Sequence, residues 1–184
     1  MRVVGGQWRG YRLLAPRGTA TRPTPERVRE ALFDILGPSI ADARFLDLFA
    51  GSGAVGIEAA SRGAATVVFV ERNRKALECL RRNLDHVHYD ARVLAGEAGP
   101  ALDTLGREGA AFDVIYVDPP YAVTDKMPAR IGRAVSALLA PGGTMIVEHA
   151  DKSPPRDVAG LAKRMARRYG DTCLTLYEKG TDDG

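Results

Sequence analysis

Apolar and polar positions change rhythm twice along this chain. In the first stretch, Arg2-Val3-Val4 and Arg12-Leu13-Leu14 flank Gly5-Gly6 and Gly10, which predicts a short hairpin arm. Thr24-Pro25 then reads as an N-cap followed by proline at the first helical position. Val28, Ala31, Leu32, Ile35 and Leu36 follow at helical spacing, and Gly37-Pro38 ends the helix. From Arg44 the rhythm becomes strand and helix in alternation. Phe45–Leu48, Thr66–Val70, Asp113–Val117 and Thr144–Val147 are short, nearly continuous apolar runs that suit strands covered on both faces, with a weaker strand at Ala91–Ala95. Helices are expected over Ala54–Ser61, Asn73–Leu84 and Ile131–Leu139. The tail breaks the alternation: Ala162–Tyr169 and Thr172–Tyr177 are joined by Gly170-Asp171, a hairpin signal. The expectation is an α/β, doubly wound Rossmann-like sheet, mostly parallel, closed by a C-terminal antiparallel hairpin. The hairpin arm takes residues 1–20 and the main domain 21–184.

The 184 residues fit one ordinary domain, and 45% hydrophobic with 27% charged residues is a globular balance. The start, broken by glycine and arginine, is no secretory leader, and the uncharged run Ala134–Val147 is too short to span a bilayer. Cys79 and Cys173 form no CxxC and are expected as reduced thiols in a cytoplasmic protein. The net charge is only +3, yet five of the 26 basic residues are lysine and the rest arginine. Arg2, Arg9, Arg12, Arg17, Arg22, Arg27 and Arg29 crowd the first thirty residues. Guanidinium groups suit phosphate and base stacking, so nucleic acid is the expected macromolecular partner.

Gly51-Ser52-Gly53-Ala54-Val55-Gly56 matches GxGxxG after one strand and before a helix, and Glu71 ends the next strand, where an acid meets ribose hydroxyls. Asp47, just ahead of that loop, bears on the choice of cofactor. A carboxylate repels a pyrophosphate and attracts the sulfonium and amino group of S-adenosylmethionine, although a buried-strand Asp also serves as a local cap. Glu97, in Gly96-Glu97-Ala98, is a further acid where an adenine amino group is expected. Asp118-Pro119-Pro120-Tyr121 follows a strand, and its prolines stiffen the turn and leave carbonyls outward. If Asp118 and the Pro119 carbonyl accept the two hydrogens of an exocyclic amine, its nitrogen pyramidalises and offers its lone pair to a methyl group. Tyr121 stacks on the base, worth roughly 1–3 kcal/mol. Asp85-His86-Val87-His88 reads as a solvated helix end rather than a metal site, and no metal is expected.

The order Asp47-x-Phe49-Ala50-Gly51-Ser52-Gly53, Glu71, Asp118-Pro119-Pro120-Tyr121 resembles class I S-adenosylmethionine-dependent methyltransferases acting on exocyclic nitrogens. Gly5-Gly6-Gln7-Trp8-Arg9-Gly10, the stretch Thr21–Phe33 and the ending Tyr169-Gly170-Asp171-Thr172 narrow the likeness to the RsmD family, bacterial enzymes that modify a guanine N2 of 16S ribosomal RNA. The resemblance implies a seven-stranded sheet and a small-subunit rRNA or partly assembled subunit as partner of a monomer. It implies a cofactor site of Asp47, Phe49, Gly51, Ser52, Gly53, Glu71, Arg72, Glu97 and Ala98. Chemistry falls to Asp118, Pro119, Pro120 and Tyr121, and RNA contact to Arg9, Arg12, Arg22, Thr24, Arg27 and Arg29. Tyr11 and Glu97 depart from the family's usual residues. Adenine N6, another base in DNA or tRNA, or a non-catalytic RNA-binding assembly factor are the competing readings. A dehydrogenase is disfavoured by Asp47 and by the absence of a second dinucleotide half.

Overall fold

The apolar runs fold as strands, and the glycine-bearing segments between them turn the chain into helices. A computed structural model describes residues 1–16, 24–119, 129–152, 154–155 and 157–180, with backbone alone at 129–130. Its strands form a seven-stranded mixed sheet in the order β3-β2-β1-β4-β5-β7-β6, numbered along the chain. Two compact units divide the chain, Met1–Glu97 and Ala98–Gly184.

The first unit holds α1 (Glu26–Leu36), a 3-10 turn (Gly37–Ile40), β1 (Arg44–Asp47), α2 (Ala54–Ser61), β2 (Thr66–Glu71), α3 (Arg74–His86) and β3 (Arg92–Ala95). β2 runs parallel to both of its neighbours, with Phe45 opposite Val67 and Val70 opposite Leu94. Phe45, Leu46, Ile57, Phe69 and Leu80 are fully enclosed. Cutting Leu80 back to alanine therefore removes about 2–5 kcal/mol of stability. Every residue of α2 is buried, as a helix of small and branched apolar residues requires. One acid, Glu58, stands inside that run. In α3, Ala76, Leu77, Leu80 and Leu84 face inward, and the Asn73 side chain caps the helix by accepting from the Ala76 amide at 3.1 Å.

Residues 1–14 form a tight arm, with Arg2 bridged to Arg12 and the Val3 amide donating to the Tyr11 carbonyl at 3.0 Å. Val3 and Leu13 are buried beneath it. The helix that follows opens later than the Thr24 cap predicts. Pro25 occupies the cap position in extended geometry, and its carbonyl accepts from Val28 at 2.9 Å and Arg29 at 3.1 Å. A proline lacks the amide that a helix interior needs, but at the cap, ahead of the first turn, its absent donor costs nothing.

The second unit holds α4 (Ala98–Arg107), β4 (Phe112–Val117), α5 (Ala129–Leu138), β5 (Leu139–Ala150), β6 (Leu161–Tyr169) and β7 (Thr172–Lys179). Helix α4 is an addition to the elements expected from sequence. Gly99, Pro100 and Gly106 obscure its pattern, but Pro100 sits in the first turn, where amides lack intrahelical partners. Ala101, Leu102 and Leu105 then form its buried stripe. Strand β5 starts five residues before the expected Thr144. It pairs Leu139 with Phe112, then carries Pro141-Gly142-Gly143 as an irregularity before Thr144 meets Val114. β5 pairs antiparallel with β7, and β6 with β7, so Gly170-Asp171 turns a hairpin with Tyr169 opposite Thr172. β7 is buried through Tyr177, whereas β6 exposes Lys163, Arg164, Arg167 and Arg168. Arg164 pairs with Glu178 at 2.9 Å, and Arg168 with Asp151 at 3.1 Å. Among the described residues, no helix is long and apolar enough to cross a membrane.

Candidate functional site

The glycine loop begins where β1 ends. Gly51 (φ 55°) and Gly53 (φ 81°) both take the left-handed backbone that side chains resist. The Gly53 amide closes the turn on the Ala50 carbonyl at 2.7 Å, and the Gly53 carbonyl accepts from Ile57 at 2.8 Å, which starts α2. A Cβ at Gly53 would stand 2.3 Å from Leu80 Cδ1 and 3.5 Å from Phe69 Cε1. The loop thus lies against α3 and β2 so closely that only glycine fits. At Gly51 an added Cβ meets nothing within 4 Å, so that side of the loop is open.

Glu71 closes on this turn from β2. Its Oε2 accepts from the Gly51 amide at 2.8 Å and its Oε1 from the Asn73 amide at 2.6 Å, while its carbonyl accepts from Gly96 at 2.9 Å. One half-buried residue thus gathers the loop and the start of α3 through its carboxylate, and the end of β3 through its backbone carbonyl. Asp47 is buried, and its Oδ2 accepts from the Gly56 amide in the first turn of α2 at 3.0 Å. The capping role, which the sequence left open beside cofactor attraction, is thus what this contact shows; a carboxylate there also complements the positive end of the helix. Phe49 is half-buried, and Ser52 and Gly53 are buried. Arg72 and Glu97 are exposed and reach each other, Nη1 to Oε1, at 3.6 Å. Ala98, in the second unit, is buried at the start of α4. The acids around the loop make it a poor seat for a pyrophosphate and a fitting one for a cationic ligand.

In the second unit, Asp118 follows β4 half-buried and Pro119 is buried. Pro120 and Tyr121 lie outside the described residues, as does Arg22. Farther along, His149 is held through Nε2 by the Thr175 hydroxyl at 2.8 Å, and the Tyr116 hydroxyl donates to buried Glu148.

The arginines expected to meet RNA divide. Arg9, Arg12 and Arg27 are exposed, and Thr24 is half-buried. Arg29 is a correction: its side chain has no solvent exposure, so it is not a surface contact for RNA. Its Nη2 donates to the Arg2 carbonyl at 2.7 Å, and its Nη1 lies 3.3 Å from Glu58 Oε2. It sits on the stripe Val28, Arg29, Leu32, Phe33 and Leu36 that α1 buries. Glu58 was not anticipated from the sequence, although a lone acid within Ala54–Ser61 is a readable signal. It accepts from the Val4 amide at 2.8 Å, the Gly5 amide at 2.7 Å and Arg62 Nε at 2.9 Å. Ser61 adds its hydroxyl, accepting from the Trp8 amide at 3.0 Å and donating to the Gly5 carbonyl at 2.6 Å. Aromatic contacts also fasten the arm to the end of α3: Trp8 packs on Tyr89 at 5.6 Å and Tyr11 on His86 at 5.5 Å, ring centre to ring centre.

A family model described as "Conserved hypothetical protein 95" matches residues 1–178. A Bacillus subtilis (strain 168) protein, provisionally named rRNA methyltransferase YlbH, is 36% identical over 183 residues, covering 97% of this chain and 99% of that protein. "Ribosomal RNA small subunit methyltransferase D" of Escherichia coli (strain K12) is 43% identical over 125 residues, covering 66% of this chain and 60% of that protein. Among solved structures, yhhF from Escherichia coli, provisionally described as a methyltransferase, superposes with a TM-score of 0.84 at 34% identity over 99% of both chains.

Proposed function

The chain belongs to the family described as Conserved hypothetical protein 95, the RsmD family, and from that membership we propose that it is an rRNA methyltransferase that uses S-adenosylmethionine. The observation that carries the cofactor is the acid-lined glycine turn, in which Glu71 closes on Gly51 and Asp47 caps α2. Glu71 is assigned to the ribose hydroxyls, the loop Gly51–Gly53 with Phe49 to the body of the cofactor, and Arg72, Glu97 and Ala98 to the adenine end. The cofactor supplies an electrophilic methyl on a sulfonium. No covalent enzyme intermediate is needed.

The finer reading is methylation of the exocyclic N2 of a guanine in small-subunit rRNA. Asp118 and the Pro119 carbonyl would accept hydrogen bonds from the amine's two N–H groups, leaving its lone pair free to attack the sulfonium methyl in line. S-adenosylhomocysteine would leave as the neutral thioether, one N–H proton would pass by way of the Asp118 carboxylate to solvent, and Tyr121 would stack on the base. Arg9, Arg12, Arg22 and Arg27 hold phosphates, with Thr24 beside them, and Arg29 is withdrawn from that set. We place the enzyme in the cytoplasm, acting as a monomer on rRNA or a partly assembled small subunit. Small subunits lacking the modification, incubated with methyl-labelled S-adenosylmethionine and digested to nucleosides, test this directly. N2-methylguanosine is the expected product by mass spectrometry. N6-methyladenosine would overturn the choice of base, and no transfer to any rRNA would overturn the activity.

A further inference from the structure

The carboxamide of Asn83, 1% exposed on α3, joins the arm to the glycine loop. Its Oδ1 accepts from the Leu14 amide at 2.7 Å. Its Nδ2 donates to the Leu14 carbonyl at 3.1 Å and to the Ser52 carbonyl at 2.9 Å. Both hydrogens of one nitrogen are thereby used, one toward each segment. A carboxamide of this length is the side chain that presents donor and acceptor side by side to a single residue's backbone and still has a donor to spare. Aspartate would turn two of these contacts into repulsions between oxygens, and leucine would leave three backbone groups to find other partners.

Its position separates it from the rest of the arm's anchorage. Glu58 and Ser61 fasten Val4, Gly5 and Trp8 to the middle and last turn of α2. Asn83 instead fastens Leu14 to the loop ahead of that helix, accompanied by a longer contact from Ser52 Oγ to Met1 Sδ at 3.9 Å. Leu14 is 43% exposed, so its own side chain adds little to holding that end of the arm. The Ser52 carbonyl is one peptide removed from the Gly53 turn that only glycine can make.

We propose that Asn83 is a positioning residue that couples RNA on the arm to cofactor on the glycine loop, a role that rests on the function proposed above. RNA that steadies the arm holds Leu14 against Asn83, and cofactor that steadies the loop holds Ser52 against the same group. Each ligand then strengthens the other, and by thermodynamic linkage the factor is the same in both directions. A few neutral hydrogen bonds set its size at roughly tenfold.

The test measures S-adenosylhomocysteine affinity by calorimetry, with and without saturating small subunits that lack the modification. Subunits tighten the wild-type affinity about tenfold, and Asn83→Asp and Leu14→Pro each bring that ratio close to one. Leu14→Pro removes the arm's amide donor and stiffens the backbone there without touching the glycine loop, so its affinity for S-adenosylhomocysteine alone stays within about twofold of wild type, which a general loss of fold would not allow. A second readout needs neither RNA nor turnover: S-adenosylhomocysteine slows hydrogen exchange at residues 11–16 in the wild type and not in Asn83→Asp. A ratio of one in active wild-type enzyme, or an unchanged ratio in both variants, overturns the coupling alone. Wild type that binds no S-adenosylhomocysteine overturns the cofactor reading and the coupling with it.

Discussion

Arg29 and Glu58 meet at 3.3 Å with neither side chain exposed to solvent. The pair joins α1 to α2, and through the Arg2 carbonyl and the Val4 and Gly5 amides it also seats the arm. Burying two charges is costly, and this geometry offsets the cost by giving Glu58 four donors across its two oxygens.

Removing one partner of such a pair strands the other. Glu58→Ala leaves the Arg29 charge inside and frees two arm amides, so it should cost about 3–5 kcal/mol in urea unfolding. Arg29→Ala should cost less, because Glu58 keeps Arg62, whose side chain is 22% exposed, and both amides. Equal losses in the two variants would show that Glu58 draws little from the arm.

The two loop glycines should separate stability from binding. Gly53→Ala meets both a left-handed φ and a Cβ 2.3 Å from Leu80, so strain of about 1–2 kcal/mol adds to overpacking of about 1–3 kcal/mol. Gly51→Ala carries the backbone strain alone, with open space around its Cβ. Its thermal midpoint should fall less than that of Gly53→Ala, while S-adenosylhomocysteine binding weakens, because the new methyl occupies the open side.

Glu71 and Asp118 should fail in different ways. Glu71→Ala loses charge-assisted hydrogen bonds worth roughly 1.5–3 kcal/mol, which weakens cofactor binding about ten- to a hundredfold. Asp118→Ala should lower kcat steeply and leave S-adenosylhomocysteine affinity close to wild type, because its assigned partner is the target amine. Near-normal turnover in Asp118→Ala would remove it from the chemistry.

Salt dependence tests the arm. Arg9→Ala, Arg12→Ala and Arg27→Ala should each reduce the slope of log affinity against log salt by roughly 0.7 for single-stranded RNA. An unchanged slope in all three would send the RNA to another surface.

Stability should decline in alkali. Burial raises the Cys173 thiol, helped by its hydrogen bond to Asp151 and the charge there, and burial also raises the Tyr89 and Tyr177 hydroxyls. The folded state thus favours the neutral, protonated forms. Their contribution is fully present below the ordinary values of 9.0 and 10.0 and is lost as pH rises through the higher folded values. Urea midpoints taken between about pH 8 and 11 should fall, and Cys173→Ala should delay the onset.

The strand runs and the glycine turn were legible because their signals are local: apolar stretches of strand length, and GxGxxG between a strand and a helix. The hairpin at Gly170-Asp171 was legible for the same reason. Arg29 was misread because it was counted by charge within an arginine-rich stretch, whereas its spacing to Leu32, Phe33 and Leu36 places it on the inner stripe of α1. Asn83 carried no local signal at all. Its partners, Leu14 and Ser52, stand 69 and 31 residues away along the chain, so only the packed fold brings them to it. Helix α4 was hidden by a proline and two glycines that cost little where they fall.

Strand β6 decides where the sheet stops. An outer strand offers bare amides and carbonyls to any passing chain, and a flat apolar one seeds fibrils. Here a newcomer must squeeze past Lys163, Arg164, Arg167 and Arg168, two of them already tied to acids, and must match a register that slips between Lys163 and Met165. That irregular, cationic margin guards against stacking one molecule onto the next, which matters most while the hairpin is newly made and its neighbours crowd the same ribosomes.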